Sequence, residues 1–224
     1  MTFPQFNFNS SSKYLSQTLS APFTTLQKLY TLEAESLLKH SYKLTLKALS
    51  PSNLERQNVN LVLQIFNEYI VEALVTFGKK NCLPLVDGVA EYIKIISKWW
   101  DIMNVKTPFK GCRIKKQYAT PLTDSDNDEK YLFLNNFCDW LELWDSMNYS
   151  TGKLTKETFT ALKHTTHAMV ELTKYCLHEL KLKYILPGKF QTDNLEDRFG
   201  KYRQLAGAHY NISVRQMFEC EKKN

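Results

Sequence analysis

Near the C-terminal end, Thr192-Asp193-Asn194-Leu195-Glu196-Asp197 sets carboxylates three residues apart just where a helix should begin. Thr192 is the expected N-cap, and Asp193 and Asp197 suit the positive end of the helix dipole. At this spacing Asp193 and Glu196 project from one helix face, with Leu195 and Phe199 as an apolar i,i+4 pair. Such a pair is a start toward a divalent-metal site. The plainer reading of the same spacing is a capped amphipathic helix with solvated acids. His164-x-x-His167 has no second pair to complete a zinc site, so these imidazoles are expected to be surface or core groups. The sequence has neither a phosphate-binding P-loop nor a nucleophile elbow. Trp99, Trp100, Trp140 and Trp144 could stack on bases, but their helical spacing makes them core residues first.

The elements that must carry these groups read mainly as helix. Of 224 residues, 43% are hydrophobic and 13% aromatic, with seven glycines and seven prolines, which favours large side chains on regular elements over a turn-rich sandwich. The net charge of +6 permits contact with phosphates without demanding it. Five widely spaced cysteines with no C-x-x-C imply a reducing compartment. No signal peptide or membrane-length apolar run is expected, which predicts an intracellular, soluble protein.

Residues 1–22, rich in Ser, Asn, Thr and Gln, read as a flexible N-terminal segment. Apolar stripes then predict helices over Leu26–Leu37, over Val59, Val62, Phe66, Ile70 and Leu74 to a stop at Gly78, and over Leu85–Met103. Leu134, Phe137, Leu141 and Trp144 mark a fourth helix. Thr155 should cap the longest helix, and Ser213 with Gln216 the last. The basic run Lys110–Lys116 and the acidic Thr123–Glu129 read as a solvated excursion. Trp100-Asp-Ile-Met-Asn and Trp144-Asp-Ser-Met-Asn echo one another weakly.

Several stretches together resemble the C-terminal half of P-element-type transposases, the group that includes the THAP-domain transposases. They are Leu29-Tyr-Thr-Leu-Glu, Tyr42-Lys-Leu-Thr, Asn58-Val-Asn-Leu-Val-Leu-Gln-Ile-Phe, Trp100-Asp-Ile-Met-Asn, Gly152-Lys-Leu-Thr-Lys-Glu and Tyr184-Ile-Leu-Pro-Gly-Lys-Phe-Gln-Thr-Asp-Asn-Leu-Glu-Asp-Arg-Phe. The resemblance implies a helical GTP-binding insertion domain at 23–150, followed at 151–224 by a helical segment of an incomplete RNase H-like catalytic fold. It places the third catalytic, metal-holding carboxylate at Glu196 and a nucleotide-side carboxylate at Asp193. It gives Lys43 to the phosphates, and Asp101 and Asn104, in an aromatic-Asp-x-x-Asn pattern, to the purine, with Val59 beside them. Asn58 stands where relatives often carry Lys. A carboxylate accepts from guanine N1–H and N2–H and a carboxamide both donates and accepts, so the chemistry is coherent.

GTP and Mg²⁺ are the cofactors this implies, with transposon-end DNA as the partner and the nucleus as location. The resemblance also implies two further aspartates that these residues lack, and a single Glu cannot assemble a two-metal site. The expectation is a fragment or domesticated remnant of a P-element-like transposase that does not cut DNA alone and whose exposed apolar surface favours homo-oligomers. The competing reading is a non-catalytic helical module that meets protein or nucleic acid through its basic segments.

Overall fold

Helix α7 (Glu129–Ser146) is the central wall of the core, and its sequence explains why. Phe133, Leu134, Phe137, Trp140, Leu141 and Trp144 recur at three- and four-residue spacing and are all buried. The Asp128 side chain caps the helix by accepting from the Lys130 amide at 3.0 Å. A buried indole needs a partner for its N–H. Trp140 and Trp144 donate to the carbonyls of Pro4 and Thr2 at 3.0 and 2.7 Å, and Asn136 donates to the Phe8 carbonyl at 2.7 Å.

Those carbonyls belong to β1 (Thr2–Phe6) and its exit. β1 pairs antiparallel with β2 (Tyr14–Ser20), with a register irregularity between Pro4 and Phe6. Residues 1–22, expected to be a flexible lead-in, are therefore corrected to an ordered hairpin at 2–6 and 14–20. The cause is aromatic burial: Phe3 is wholly enclosed, its ring 5.6 Å from Tyr92, 5.9 Å from Trp140 and 6.0 Å from Trp144.

The computed structural model describes residues 1–8, 14–124, 128–147, 149, 152–207 and 211–222, and for 14–16, 193 and 194 the backbone alone. It is mainly α-helical, and among the described residues the one sheet is this two-stranded hairpin. After the hairpin come α1 (Phe23–Leu32), the short α2 (Leu46–Leu49), α3 (Val59–Ile65) and α4 (Glu68–Ala73). The sequence predicts one helix from 59 to 78; the structure breaks it at Phe66–Asn67. Asn67 ends one helix and starts the next, its Nδ2 donating to the Leu63 and Gln64 carbonyls at 3.1 and 2.8 Å and its Oδ1 accepting from the Tyr69 and Ile70 amides at 3.1 and 3.3 Å. The restart changes the buried face, so Leu61 and Ile65 enter the core in place of Val59 and Val62.

The same 59–78 stretch is long and apolar enough to match a membrane span by composition. Its interruption at Asn67 and the burial of Ile70, Ala73 and Leu74 place it in the core of this fold.

Helix α5 (Val86–Met103) lies against this core through Val86, Val89, Ala90, Ile93, Ile102 and Met103. A short helix α6 (Lys110–Arg113) follows, then α7 and the long α8 (Lys156–His178), which Thr155 caps by accepting from the Thr158 amide at 3.3 Å. Trp99 joins α5 to α8, its indole donating to Thr166 Oγ1 at 2.9 Å. His164 and His167 are exposed on α8.

The last helices, α9 (Asp193–Leu205) and α10 (Val214–Glu221), pack on each other through buried Tyr202 and Cys220, and Arg198 donates to Glu221 at 3.0 Å. Ser213 and Gln216 form the expected capping box. The echoed Trp-Asp-x-Met-Asn pair divides: Trp144 is core, Trp100 is half-buried, and Asn148 lies outside the described residues.

Replacing Trp144 tests the tie between helix and hairpin. Trp144→Ala should cost about 3–5 kcal/mol in a urea titration through cavity formation. Trp144→Phe should cost less, about 1–3 kcal/mol, from the Thr2 carbonyl losing its donor. A Trp144→Ala loss below about 1 kcal/mol would contradict this packing.

Candidate functional site

The stripe that Val86, Val89, Ala90 and Ile93 hold in the core runs on along the same face of α5 into Ser97, Trp100, Asp101 and Asn104, which follow one another at i, i+3, i+4 and i+7. These four line a cavity of about 350 Å³. That is near the lower end of the roughly 300–1,000 Å³ usual for small-molecule sites. Lys43, Phe66, Asn67, Lys110 and Lys116 complete much of the wall. A carboxylate, two carboxamides, two aromatic side chains and three ammonium groups thus share one concavity.

Each wall has a local cause. Lys43 follows a loop pinned by Glu33, a carboxylate buried at the end of α1. Glu33 accepts from the His40 amide at 3.0 Å, the Ser41 amide at 3.0 Å and the Ser41 hydroxyl, so its charge is met by donors as burial demands. Thr45 then caps α2, accepting from the Ala48 amide at 3.1 Å while its hydroxyl donates to Gln64 at 2.7 Å. The Lys43 ammonium sits 4.3 Å from the centroid of the Tyr69 ring, a cation–π contact that steadies a flexible side chain.

On the opposite wall, the basic run 110–116 is not simply a solvated excursion. Lys115 adopts φ 53°, the left-handed C′ position of a Schellman turn. The Lys116 amide donates to the Gly111 carbonyl at 2.9 Å and the Lys115 amide to Cys112 at 3.3 Å. This turn brings the Lys116 ammonium to 3.1 Å from Asp101 Oδ2. A Cβ at Gly111 would meet the Ala119 carbonyl oxygen at 2.2 Å, so only glycine permits the fold-back.

Outside the lining, the segment after α8 braces the Asn104–Val105 corner of the cavity. Leu122 and Ile185 exchange two backbone hydrogen bonds of 3.0 and 2.8 Å, and the Gly188 amide donates to the Val105 carbonyl at 3.0 Å. A Cβ at Gly188 would lie 2.9 Å from the Asn104 carbonyl carbon, so this contact too requires glycine. Gln191 then donates through Nε2 to Asn104 Oδ1 at 3.3 Å. The stretch just before α9 is thereby fixed beside the purine-side carboxamide.

Lys43, Asp101 and Asn104 thus line one cavity. Asn58 and Val59 are not among the residues lining the cavity. Asn58 is exposed and accepts from the Asn60 amide at 3.0 Å to cap α3, and Val59 is 51% exposed. The backbone of Asp193 starts α9, and its side chain lies outside the described residues. Glu196 is exposed.

Thr192 does not cap α9. Its hydroxyl instead donates to Glu196 Oε1 at 2.9 Å. Leu195 and Phe199 are 60% and 42% exposed. Among the described residues no group of three or more His, Cys, Asp or Glu side chains could hold a metal. Trp100, Lys110 and Lys116 were not singled out as site residues by sequence. The basic run is visible in the sequence, but its return to Asp101 depends on the turn at Lys115.

The helical fold thus carries a concave site of small-molecule size. Residues 7–117 match the family model for the TNP-like, GTP-binding insertion domain. The whole structure is similar to a chain of the Drosophila P element transposase strand transfer complex, with TM-score 0.67 and 18% identity over 99% of this chain and 46% of that one. At that identity the likeness is one of fold, and this chain spans less than half the length of that relative. No curated protein matches the sequence. Residues 7–117 are thus recognisable as a TNP-like, GTP-binding insertion domain by their sequence, and the fold is shared with the P element transposase chain.

Beyond Lys43, the wall continues into a second polar clasp that pH can address. Lys47 lies 2.6 Å from Glu55, which also accepts from the Ser52 amide and hydroxyl at 3.0 and 2.9 Å. Lys47 first, then Ser52, hold the Glu55 carboxyl down at about 2 from its ordinary 4.5. Because the folded pKa is depressed, the clasp's contribution is full above pH 4.5 and is lost as pH falls through about 2. A carbon-13 NMR titration should place the Glu55 midpoint near 2, and Lys47→Ala should move it up toward 4.5. An unmoved midpoint would contradict the pairing.

Proposed function

We propose that this chain binds a guanine nucleotide in the cavity at the C-terminal end of α5, as the insertion domain of a P-element-like transposase. The observation that carries this reading is the convergence of Trp100, Asp101, Asn104 and Lys43, from separate elements, on one concavity. Trp100 offers an aromatic face to the base. Asp101 accepts from N1–H and N2–H, a pair of donors adenine does not present, and Asn104 donates and accepts along the same edge. Lys43, held on Tyr69, and Lys110 supply positive charge for the phosphates, with Mg²⁺ arriving on the nucleotide.

In the same reading residues 151–224 are the Glu196-bearing segment of an RNase H-like catalytic fold. Glu196 alone cannot hold the two metals that strand transfer needs, so these residues act as a nucleotide-responsive part and not as the nuclease. DNA is the partner and the nucleus the location that this family reading supports. Exposed Leu195, Phe199, Val214 and Phe218 on α9 and α10 favour association with further protein, a second copy included.

Titration calorimetry with GTP, ATP and Mg²⁺ tests the reading. GTP should bind and ATP should bind at least tenfold more weakly, on the order of 1.4 kcal/mol. Asp101→Ala should weaken GTP by about 1.5–3 kcal/mol, the worth of a hydrogen bond to a charged group. GTP binding that Asp101→Ala and Asn104→Ala leave unchanged would overturn the assigned site.

A further inference from the structure

A second cavity, also about 350 Å³, lies on the other side of Asp101. Ser97, Asp101 and Lys116 line both cavities, so the Lys116–Asp101 ion pair stands in the wall between them. Among an otherwise largely apolar lining, the charged groups of the second cavity are mainly basic: Lys94, Lys98, Lys115 and Lys116 against two carboxylates, Glu68 and Asp101. Asp101 is already engaged by Lys116, and Lys94 reaches Glu91 only at 3.8 Å. Neither Lys98 nor Lys115 has an ion-pair partner among the described residues.

Lys98 is the unusual member. Its ammonium is half-buried, 3.9 Å from the centroid of the Tyr118 ring and 4.6 Å from that of Phe133. Burial lowers its pKa, and the more distant Glu129 and Glu91 partly restore it. A lysine charge withdrawn from water without a carboxylate is costly unless something else satisfies it. Aromatic faces meet part of that cost, and an anion in the cavity would meet the rest. Lys115 is held at φ 53°, where glycine is the favoured residue, so a charged side chain is kept at a strained position on the cavity rim. Ser97, in the shared wall, has a buried hydroxyl with no hydrogen-bond partner in the protein.

We infer that this second cavity is a seat for an oligophosphate anion, with Lys98 as its fixed centre and Lys94 and Lys115 as its mobile rim. The seat stands on its own lining and does not require the guanine reading. A phosphate chain suits it because several tetrahedral groups, each with acceptor oxygens, can meet ammonium groups arriving from α5 and from the 115–116 turn at once. The chemistry would be the same for the phosphates of a nucleotide reaching past the Asp101 wall and for a separate polyphosphate.

Inorganic tripolyphosphate, titrated calorimetrically at low ionic strength without nucleotide, is the direct probe. The wild-type chain should bind it, Lys98→Gln should lower affinity roughly tenfold or more, and Lys156→Gln, exposed and outside both cavities, should leave it unchanged. The exposed double change Lys94→Gln/Lys115→Gln should also weaken it, which keeps the test open if Lys98→Gln unfolds the chain. No wild-type binding, binding by the Lys98 and rim variants equal to wild type, or equal loss in Lys156→Gln would overturn the seat. Repeating the titration after saturation with GTP names the source: a blocked tripolyphosphate signal assigns the seat to the nucleotide's own phosphates, and an undiminished one to a separate anion. Guanosine, titrated alone, reports on the base site, so that reading can fail while the phosphate seat stands.

Discussion

One helix has to satisfy two masters, and the rest of the structure follows from how α5 does so. Val86, Val89, Ala90 and Ile93 hold the stripe that leads to the site, Ile95, Ile102 and Met103 bury other sides of the helix, and a rotation of one residue would expose part of this apolar surface to water. At about 25 cal/mol per Å² of apolar surface, that rotation costs several kcal/mol. Ser97, Trp100, Asp101 and Asn104 therefore have no freedom to turn away from their cavity. Binding chemistry placed on a packed helix is more precise than the same residues on a loop.

The other walls are loops, each fixed by a few polar bonds. Glu33 gathers the 40–41 amides, Asn67 joins two helices and faces the cavity, and the Schellman turn at Lys115 returns Lys116 to Asp101. Gly188 lets the segment before α9 touch Asn104. These anchors connect distant stretches of sequence to one site. They also divide it: the Lys116–Asp101 pair separates a cavity with a purine-type lining from a lysine-rich one.

Much of the helical fold was legible because long apolar stripes survive folding intact. Leu134, Phe137, Leu141 and Trp144 are all buried as their spacing predicts, and Thr155 and the Ser213–Gln216 pair cap where expected. The hairpin was not legible, because its polar composition hid Phe3, Phe6 and Phe8, whose burial comes from a partner helix more than a hundred residues away. The alternation of Phe6 and Phe8 was the signal available. The 59–78 stripe misled because Asn67 is a helix interrupter only once its side chain is bonded in both directions. At the site, Lys43, Asp101 and Asn104 were reachable through their motifs, whereas Lys110 and Lys116 depend on a left-handed lysine that no propensity would suggest.

The central claim is that guanine is read by the last turns of α5, and the indole N–H signals of the four tryptophans locate it directly. In an ¹H–¹⁵N NMR titration with GTP, Trp100 and the amides of residues 97–104 should shift together. Trp140 and Trp144, bonded to the hairpin carbonyls, should stay where they are. Saturation with GTP that leaves Trp100, Asp101 and Asn104 unmoved would contradict the account.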